Sequence, residues 1–336
     1  MNILITGGSG FLGARLARTL LAKGSISLRG QGAQPIDRIT ITDRVAPPDD
    51  LLGDRRVSHV QGDLLELSQS RQLPPEGTDL VFHLAAAVSG ECELDFDLGM
   101  RSNMDTTRAL LEACRALGTQ PMFVFASSLA VFGNLPGQPL PEPIKDDTLP
   151  TPQSSYGIQK FISEQLVADF TRKGFITGRS VRLMTVSVRP GRPNGAASGF
   201  LSGMVREPLA GLKAACPVSP QATVALASPA RTVEGIILAA EADDARWGPP
   251  TALNLPSLRT SVGDMAAALE RVAGPQATAL LDWTPDPLVQ RLVRGWPGHV
   301  EWTRARQMGL AADADFESIV RDYIRENPGA VKLPLR

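Results

Sequence analysis

Short apolar runs alternate with longer helical stretches through the first 190 or so residues. Runs rich in β-branched and aromatic residues fall at 3–6, 39–42, 57–61, 80–84, 122–126 and 181–188, each bounded by turn residues. Between them the spacing becomes helical: Leu12, Leu16, Leu20 and Leu21 form an apolar stripe, and the clearest helices are predicted over 97–117 and 156–173. Strands alternating with helices in this way predict a doubly wound parallel sheet covered on both faces, an α/β Rossmann fold. Beyond about residue 189 proline and glycine become frequent and helices shorten. The expectation is a dinucleotide-binding domain over 1–188 and a smaller, mainly substrate-binding domain over 189–336. Segments such as 189–212 belong to the latter, while others return to the core.

The first strand runs straight into Gly7-Gly8-Ser9-Gly10-Phe11-Leu12-Gly13 and then a helix. Strand, glycine turn and helix in that order allow backbone N–H groups to approach a pyrophosphate at the helix N-terminus. Gly7, Gly10, Phe11 and Leu12 are therefore candidate cofactor-binding residues; the alternative is a flexible glycine loop opening an ordinary helix. The second strand ends on Asp43, where a carboxylate accepts hydrogen bonds from ribose hydroxyls and repels a 2′-phosphate, which favours NAD over NADP. Arg44 follows with the opposite preference, and Asp43 has a plainer use as a turn cap. The spacing between glycines and acid is lengthened by an inserted loop containing Gly30-Gln31-Gly32-Ala33-Gln34-Pro35.

Only two tyrosines occur in the chain. Tyr323 lies in a charged C-terminal helix, whereas Tyr156 stands four residues before Lys160, so that a helix stacks the two on one face. A cation beside a phenol favours phenolate and suits it to proton transfer. Alone, the pair is a common pattern; the glycine turn and the acid give it weight.

Composition narrows the field. A net charge of −1 offers no electrostatic case for nucleic acid or an anionic membrane. No apolar run reaches membrane-spanning length, and a core strand at the very start leaves no room for a signal peptide. Cys92, Cys114 and Cys216, like His59, His83 and His299, lack metal-ligand spacing, so a cytoplasmic protein without a metal is expected.

Taken together, the residues from Thr6 to Gly13, Asp43, Gly62-Asp63-Leu64, His83-Leu84-Ala85-Ala86, Asn103, Ser127-Ser128-Leu129-Ala130-Val131-Phe132-Gly133 and the Tyr156–Lys160 pair resemble the extended short-chain dehydrogenase/reductase family. The order of these elements matches along the whole chain; Phe132 departs from the usual tyrosine. The resemblance implies that Asp63 and Leu64 flank an adenine and that Leu84, Ala85, Ala86 and Ala87 line the cofactor. Ser127 then contacts cofactor or backbone, and Ser128 is the catalytic serine beside Tyr156 and Lys160. Asn103 joins a water-linked proton path, the plain alternative being a solvent-facing asparagine; His83 reads as a core histidine.

Further on, 160–166, Val186-Ser187-Val188-Arg189-Pro190-Gly191-Arg192-Pro193-Asn194-Gly195 and 197–203 resemble bacterial D-erythronate dehydrogenases. That implies a small sugar-acid substrate, its carboxylate anchored by Arg189 or Arg192 with Arg182 as a further candidate, and hydrogen bonds from Ser89 and Gly90. A homodimer is expected through the helices at 97–117 and 156–173, with Leu110, Leu111, Leu166 and Phe170 as apolar residues. Rival readings are an enzyme for L-threonine or another small hydroxy acid, a nucleotide-sugar epimerase or dehydratase, and a redox-sensing regulator.

Overall fold

Ile3, Leu4 and Ile5 are buried on both faces of the first strand, as the central strand of a parallel sheet requires. A computed structural model of the chain describes residues 1–191 and 196–334. Seven strands form the main sheet: β1 (Asn2–Thr6), β2 (Arg38–Asp43), β3 (Val57–Gln61), β4 (Leu80–His83), β5 (Met122–Ser128), β6 (Thr177–Leu183) and β7 (Leu253–Asn254). Their spatial order is β7-β6-β5-β4-β1-β2-β3, with parallel pairing throughout β5-β4-β1-β2-β3. The strand order reverses between β1 and β4, where Thr6 lies opposite His83. In a doubly wound sheet the crevice beyond the strand ends at that reversal is the ligand-binding position.

Helix α1 (Phe11–Lys23) buries Leu16 and Leu20 and stops at Gly24, which adopts φ +71° and returns its N–H to the Leu20 carbonyl. The helix expected over 97–117 comprises a short turn at Phe96–Gly99, a π-helical stretch at Met100–Asp105 and α2 (Thr106–Leu117). Helix α3 (Ser155–Arg172) is capped by Ser154, whose hydroxyl accepts from the Gly157 N–H.

The chain divides into two units. The first contains Met1–Val131, Ser154–Arg182 and Val233–Leu253; the second contains Phe132–Gln153, Leu183–Thr232 and the residues from Asn254 onward. One continuous domain over 1–188 is therefore corrected, since 132–153 and 183–188 fall in the second unit. The strand expected over 181–188 divides at the same place. Its first part completes β6, while Thr185–Val186 pairs in parallel with Thr223–Ala227 in a three-stranded sheet. A continuous strand-like run carries no mark of where its ladder partner changes.

In the first unit, the inserted loop after α1 forms a small hairpin, Ser25–Ile26 with Gln34–Pro35. The Arg29 and Gly30 N–H groups donate to the Ala240 and Glu241 carbonyls at 3.0 and 2.7 Å, satisfying the end of the helix Pro229–Glu241. Arg179, buried on β6, grips the same region, donating to the carbonyls of Ala239 and Ala242 and to Asp244. The second unit has its own core, in which Leu201, Met204 and Leu209 of Gly199–Leu209 meet Met265 and Leu269 of Val262–Ala273 and Phe316, Val320 and Tyr323 of Phe316–Glu326. Tyr323 thus has a packing role. Among the described residues no helix is long and apolar enough to cross a membrane.

Candidate active site

Two close approaches shape the glycine turn. Gly7 has φ +67°, and a Cβ there would lie 2.8 Å from the Ala85 nitrogen; one on Gly13 would lie 2.2 Å from the Gly7 carbonyl oxygen. The turn is therefore pressed against the exit of β4, and α1 against the turn. Gly10 caps α1 without a side chain and no acid occupies the first helical turn, so the dipole end is open to an anion. The Asp43 carboxylate lies against this turn, accepting from the Ser9 N–H at 3.2 Å and from the Arg44 N–H at 2.7 Å. The Arg44 guanidinium itself pairs with Asp63 at 3.0 Å, and Arg101 approaches the same carboxylate at 3.4 Å. Asp63 also caps Leu64–Gln69, accepting from the Leu65 and Glu66 N–H groups. Burial opposes its charge, yet the Glu66 amide and the two arginines hold the carboxyl below its ordinary range. These features fit a dinucleotide whose adenosine ribose meets Asp43: a cradle too tight for side chains, an open helix N-terminus and a phosphate-competent arginine already paired.

A polar network fixes the segment leaving β4. The Thr107 hydroxyl donates to the Asn103 carbonyl at 2.6 Å, so it accepts from His83 Nε2 at 2.9 Å. His83 Nδ1 then accepts from the Thr6 hydroxyl at 2.7 Å, and that oxygen accepts from the Ala85 N–H at 3.2 Å. His83 is wholly buried; desolvation, assisted by the charge on Lys160, pushes its pKa down to about 3. It serves as a neutral structural link. Farther along, Asn103 Oδ1 accepts from the Ala87 N–H at 2.8 Å while its Nδ2 donates to the Ala87 carbonyl and to Gln159. Asn103 is therefore buried and not solvent-facing, its amide gripping backbone and a neighbouring amide.

On α3, Tyr156 and Lys160 are brought together as the four-residue spacing predicts, with the ammonium 5.7 Å from the centre of the tyrosine ring. Lys160 is buried; it donates to the Ala126 carbonyl at 2.8 Å and lies 4.8 Å from the Phe125 ring centre. Desolvation lowers its pKa to about 8, only partly offset by Cys92 and Glu164. Ser128 ends β5, half-buried, its oxygen accepting from the Ala130 N–H at 3.1 Å. The neighbouring Ser127 is corrected as a cofactor contact: it is buried and its hydroxyl donates to Glu164 at 2.5 Å. Arg182 is likewise removed from the substrate candidates, because two of its nitrogens pair with the same carboxylate at 2.9 and 2.8 Å, deep in the unit.

Ser89 and Gly90 open the helix Ser89–Leu94, half-buried and next to the clamped Ala87. Glu93 of this helix accepts from the Ser155 N–H at 2.6 Å, tying it to the start of α3. In the second unit the Arg189 N–H donates to Ser202, and its carbonyl accepts from Arg206. Arg192 lies outside the described residues. Gln159, Cys92, Glu164 and Glu93 were missed in the sequence. Gln159 and Glu164 had a visible signal, being polar on the side of α3 that carries Lys160 and Ser163 inward.

The geometry has close counterparts. Residues 3–225 match the NAD dependent epimerase/dehydratase family. The chain belongs to that family. It is 48% identical over 332 residues to a D-erythronate dehydrogenase of Cupriavidus necator, covering 99% of this chain and all of the relative. A D-erythronate dehydrogenase of Haemophilus influenzae is 39% identical, with 96% and 99% covered. Among solved structures, a nucleoside-diphosphate-sugar epimerase from Agrobacterium tumefaciens superposes with a TM-score of 0.88 at 40% identity, covering 98% of this chain and 95% of that one. The expected family, the Rossmann fold and the NAD dependence all hold.

Two predictions follow from this member's geometry. With Asp43 beside the glycine turn and Arg44 paired, catalytic efficiency with NAD should exceed that with NADP by at least about tenfold, or ~1.4 kcal/mol. Asp43→Ala should narrow the gap, and equal use of both cofactors by the unmodified chain would contradict the assignment. The second concerns Lys160, whose proton leaves near pH 8 in the fold but near 10.5 in the unfolded chain. Between those values the unfolded state binds more protons, so stability rises with pH; well below pH 8, the fold bears the full cost of the buried charge. Urea titrations from pH 7 to 10.5 should show the natural chain gaining on Lys160→Met by up to about 1.4 kcal/mol per pH unit. Parallel curves would refute the buried titration.

Proposed function

We propose that this enzyme oxidises the C2 hydroxyl of D-erythronate to 2-dehydro-D-erythronate. The observation that carries this reading is the 48% identity to a D-erythronate dehydrogenase over essentially the whole of both chains. Gly7, Gly10, Phe11, Leu12, Asp43, Asp63, Leu64 and Leu84 to Ala87 hold the dinucleotide, with Tyr156 and Lys160 at its reactive end. When bound, NAD supplies the two-electron acceptor for the hydrogen on C2. Tyr156, as phenolate, accepts the hydroxyl proton, and the freed oxygen lone pair becomes the new carbonyl bond at C2. Lys160 favours that phenolate through its nearby positive charge. Ser128 donates to the substrate oxygen and keeps it within reach of Tyr156. Ser89 and Gly90 add hydrogen bonds, and Arg189 or Arg192 anchors the carboxylate with a guanidinium fork.

The similarity to a nucleoside-diphosphate-sugar epimerase is the observation favouring a second reading. Screening hydroxy acids, L-threonine and UDP-sugars for NADH formation distinguishes the two, since an epimerase completes its cycle without net NADH. We place the enzyme in the cytoplasm as a homodimer. Its interface is reassigned, because Leu110 and Leu111 are core residues and Leu166 and Phe170 pack on that core. Exposed apolar side chains in and just before the helices at 97–117 and 156–173 include Leu94 and Phe96, at 91% and 62% accessibility, with Ile158 and Ile162 on α3. Light scattering at micromolar concentration should give twice the chain mass, and Phe96→Asp with Ile162→Asp should give a monomer. A monomeric natural chain would remove the dimer.

Tyr156→Phe keeps the ring and deletes only the proton acceptor. Turnover of D-erythronate should fall at least about 10²-fold, the lower end for general acid–base catalysis, with NADH affinity nearly unchanged. Retention of more than about a tenth of natural turnover would assign the proton to another group.

A further inference from the structure

Gln159 stands between Tyr156 and Lys160 on α3, yet has no part in the chemistry described above. Its side chain is 1% exposed, and its Oε1 accepts from Asn103 Nδ2 at 2.8 Å. The opposite edge of the Asn103 amide holds both backbone groups of Ala87, the N–H at 2.8 Å and the carbonyl at 3.3 Å. We propose that Gln159 is a positioning residue of this active site, whose Oε1 locks the Asn103 amide in the orientation that clamps Ala87. This rests on the reading of Ala87 and Ser89 as residues facing cofactor and substrate.

Three observations support it. An asparagine amide turned end for end would set its NH₂ group against the Ala87 N–H, donor against donor, and its oxygen against the Ala87 carbonyl. The Ala87 pair thus favours one end of the amide, and the Gln159 oxygen reinforces it by accepting from the nitrogen which that end presents. Second, space for the glutamine head is built in: a Cβ on Gly99 would lie 2.6 Å from Gln159 Nε2 and 3.1 Å from Oε1. Third, Gln159 Nε2 is buried with no hydrogen-bond partner among the described residues. An apolar side chain of similar volume would fill the position without that penalty, so packing alone does not account for an amide here. What the amide adds is the acceptor oxygen. Because Gln159 shares a helix with Tyr156 and Lys160, the clamp sets the distance between the proton-handling pair and the segment leaving β4.

The test compares the full-length enzyme with Gln159→Met, Gln159→Glu and Gly99→Ala. Hydrogen–deuterium exchange reports on the Ala87 N–H without substrate, and steady-state assays with NAD and D-erythronate give kcat and KM. In Gln159→Met the Ala87 N–H should exchange at least about tenfold faster than in the natural chain. Its kcat should drop about tenfold, with NADH affinity held within about threefold. Gly99→Ala should reproduce both changes by displacing the glutamine head, which keeps the test decisive should the methionine variant not fold. Gln159→Glu retains the acceptor and should restore the protection of Ala87. Unchanged exchange at Ala87 in Gln159→Met and Gly99→Ala, or unchanged kcat in an otherwise active enzyme, would overturn the proposal. A natural chain that oxidises no D-erythronate would instead overturn the reaction assignment, and the exchange measurement would still decide the role of Gln159.

Discussion

An ammonium group withdrawn from water needs compensation at hydrogen-bond range, and Lys160 draws it from the Ala126 carbonyl and the face of Phe125. Both partners belong to β5, so burying this charge fixes the rotation of α3 against the sheet. Everything the site requires of α3 then follows from one registration. Tyr156 stands a turn before the lysine, Glu164 a turn after it, and Gln159 faces Asn103. Glu164 bridges Arg182 on β6 and Ser127 on β5, a second anchor that immobilises the residue beside Ser128. The ion pair lies too deep to reach ligand, and its effect is to hold the end of β5.

Much of the fold was legible because local patterns and global topology agree. The glycine turn, the acid ending β2 and the apolar strands each allow few conformations, and the structure uses them as read. The errors occur where a choice depends on distant residues. Nothing within 181–188 reveals that Thr185 will pair near Leu226 and not continue along β6. The split of the first domain is of the same kind, since Phe132–Gln153 joins the second unit through partners such as Val300, opposite Ile144.

Within the site, residues defined by spacing were readable and residues defined by partnership were not. Tyr156 and Lys160 announce themselves four apart, whereas Ser127 and Ser128 are adjacent serines whose different roles are set by Glu164, 36 residues beyond Ser128. Asn103 was noticed as a poor helix former, but its surroundings decide its use: it sits in a π-helical stretch, against Ala87 and Gln159. The interface leucines failed for a related reason. A helical period identifies an apolar face without telling whether sheet or solvent lies opposite.

The strand order also has a consequence for how the chain is made. As the polypeptide emerges, β6 completes the growing sheet edge at Leu183, but its neighbour β7 begins only at Leu253. For about seventy residues of synthesis the nascent sheet therefore ends in an unpaired strand, the kind of edge that recruits the wrong partner. Arg179 sits in the middle of that strand, and its final acceptors, the carbonyls of Ala239 and Ala242, arrive just before β7. Until they do, the buried acceptors of this guanidinium do not exist, so the clamp on β6 forms only after Ala239 and Ala242 have been added.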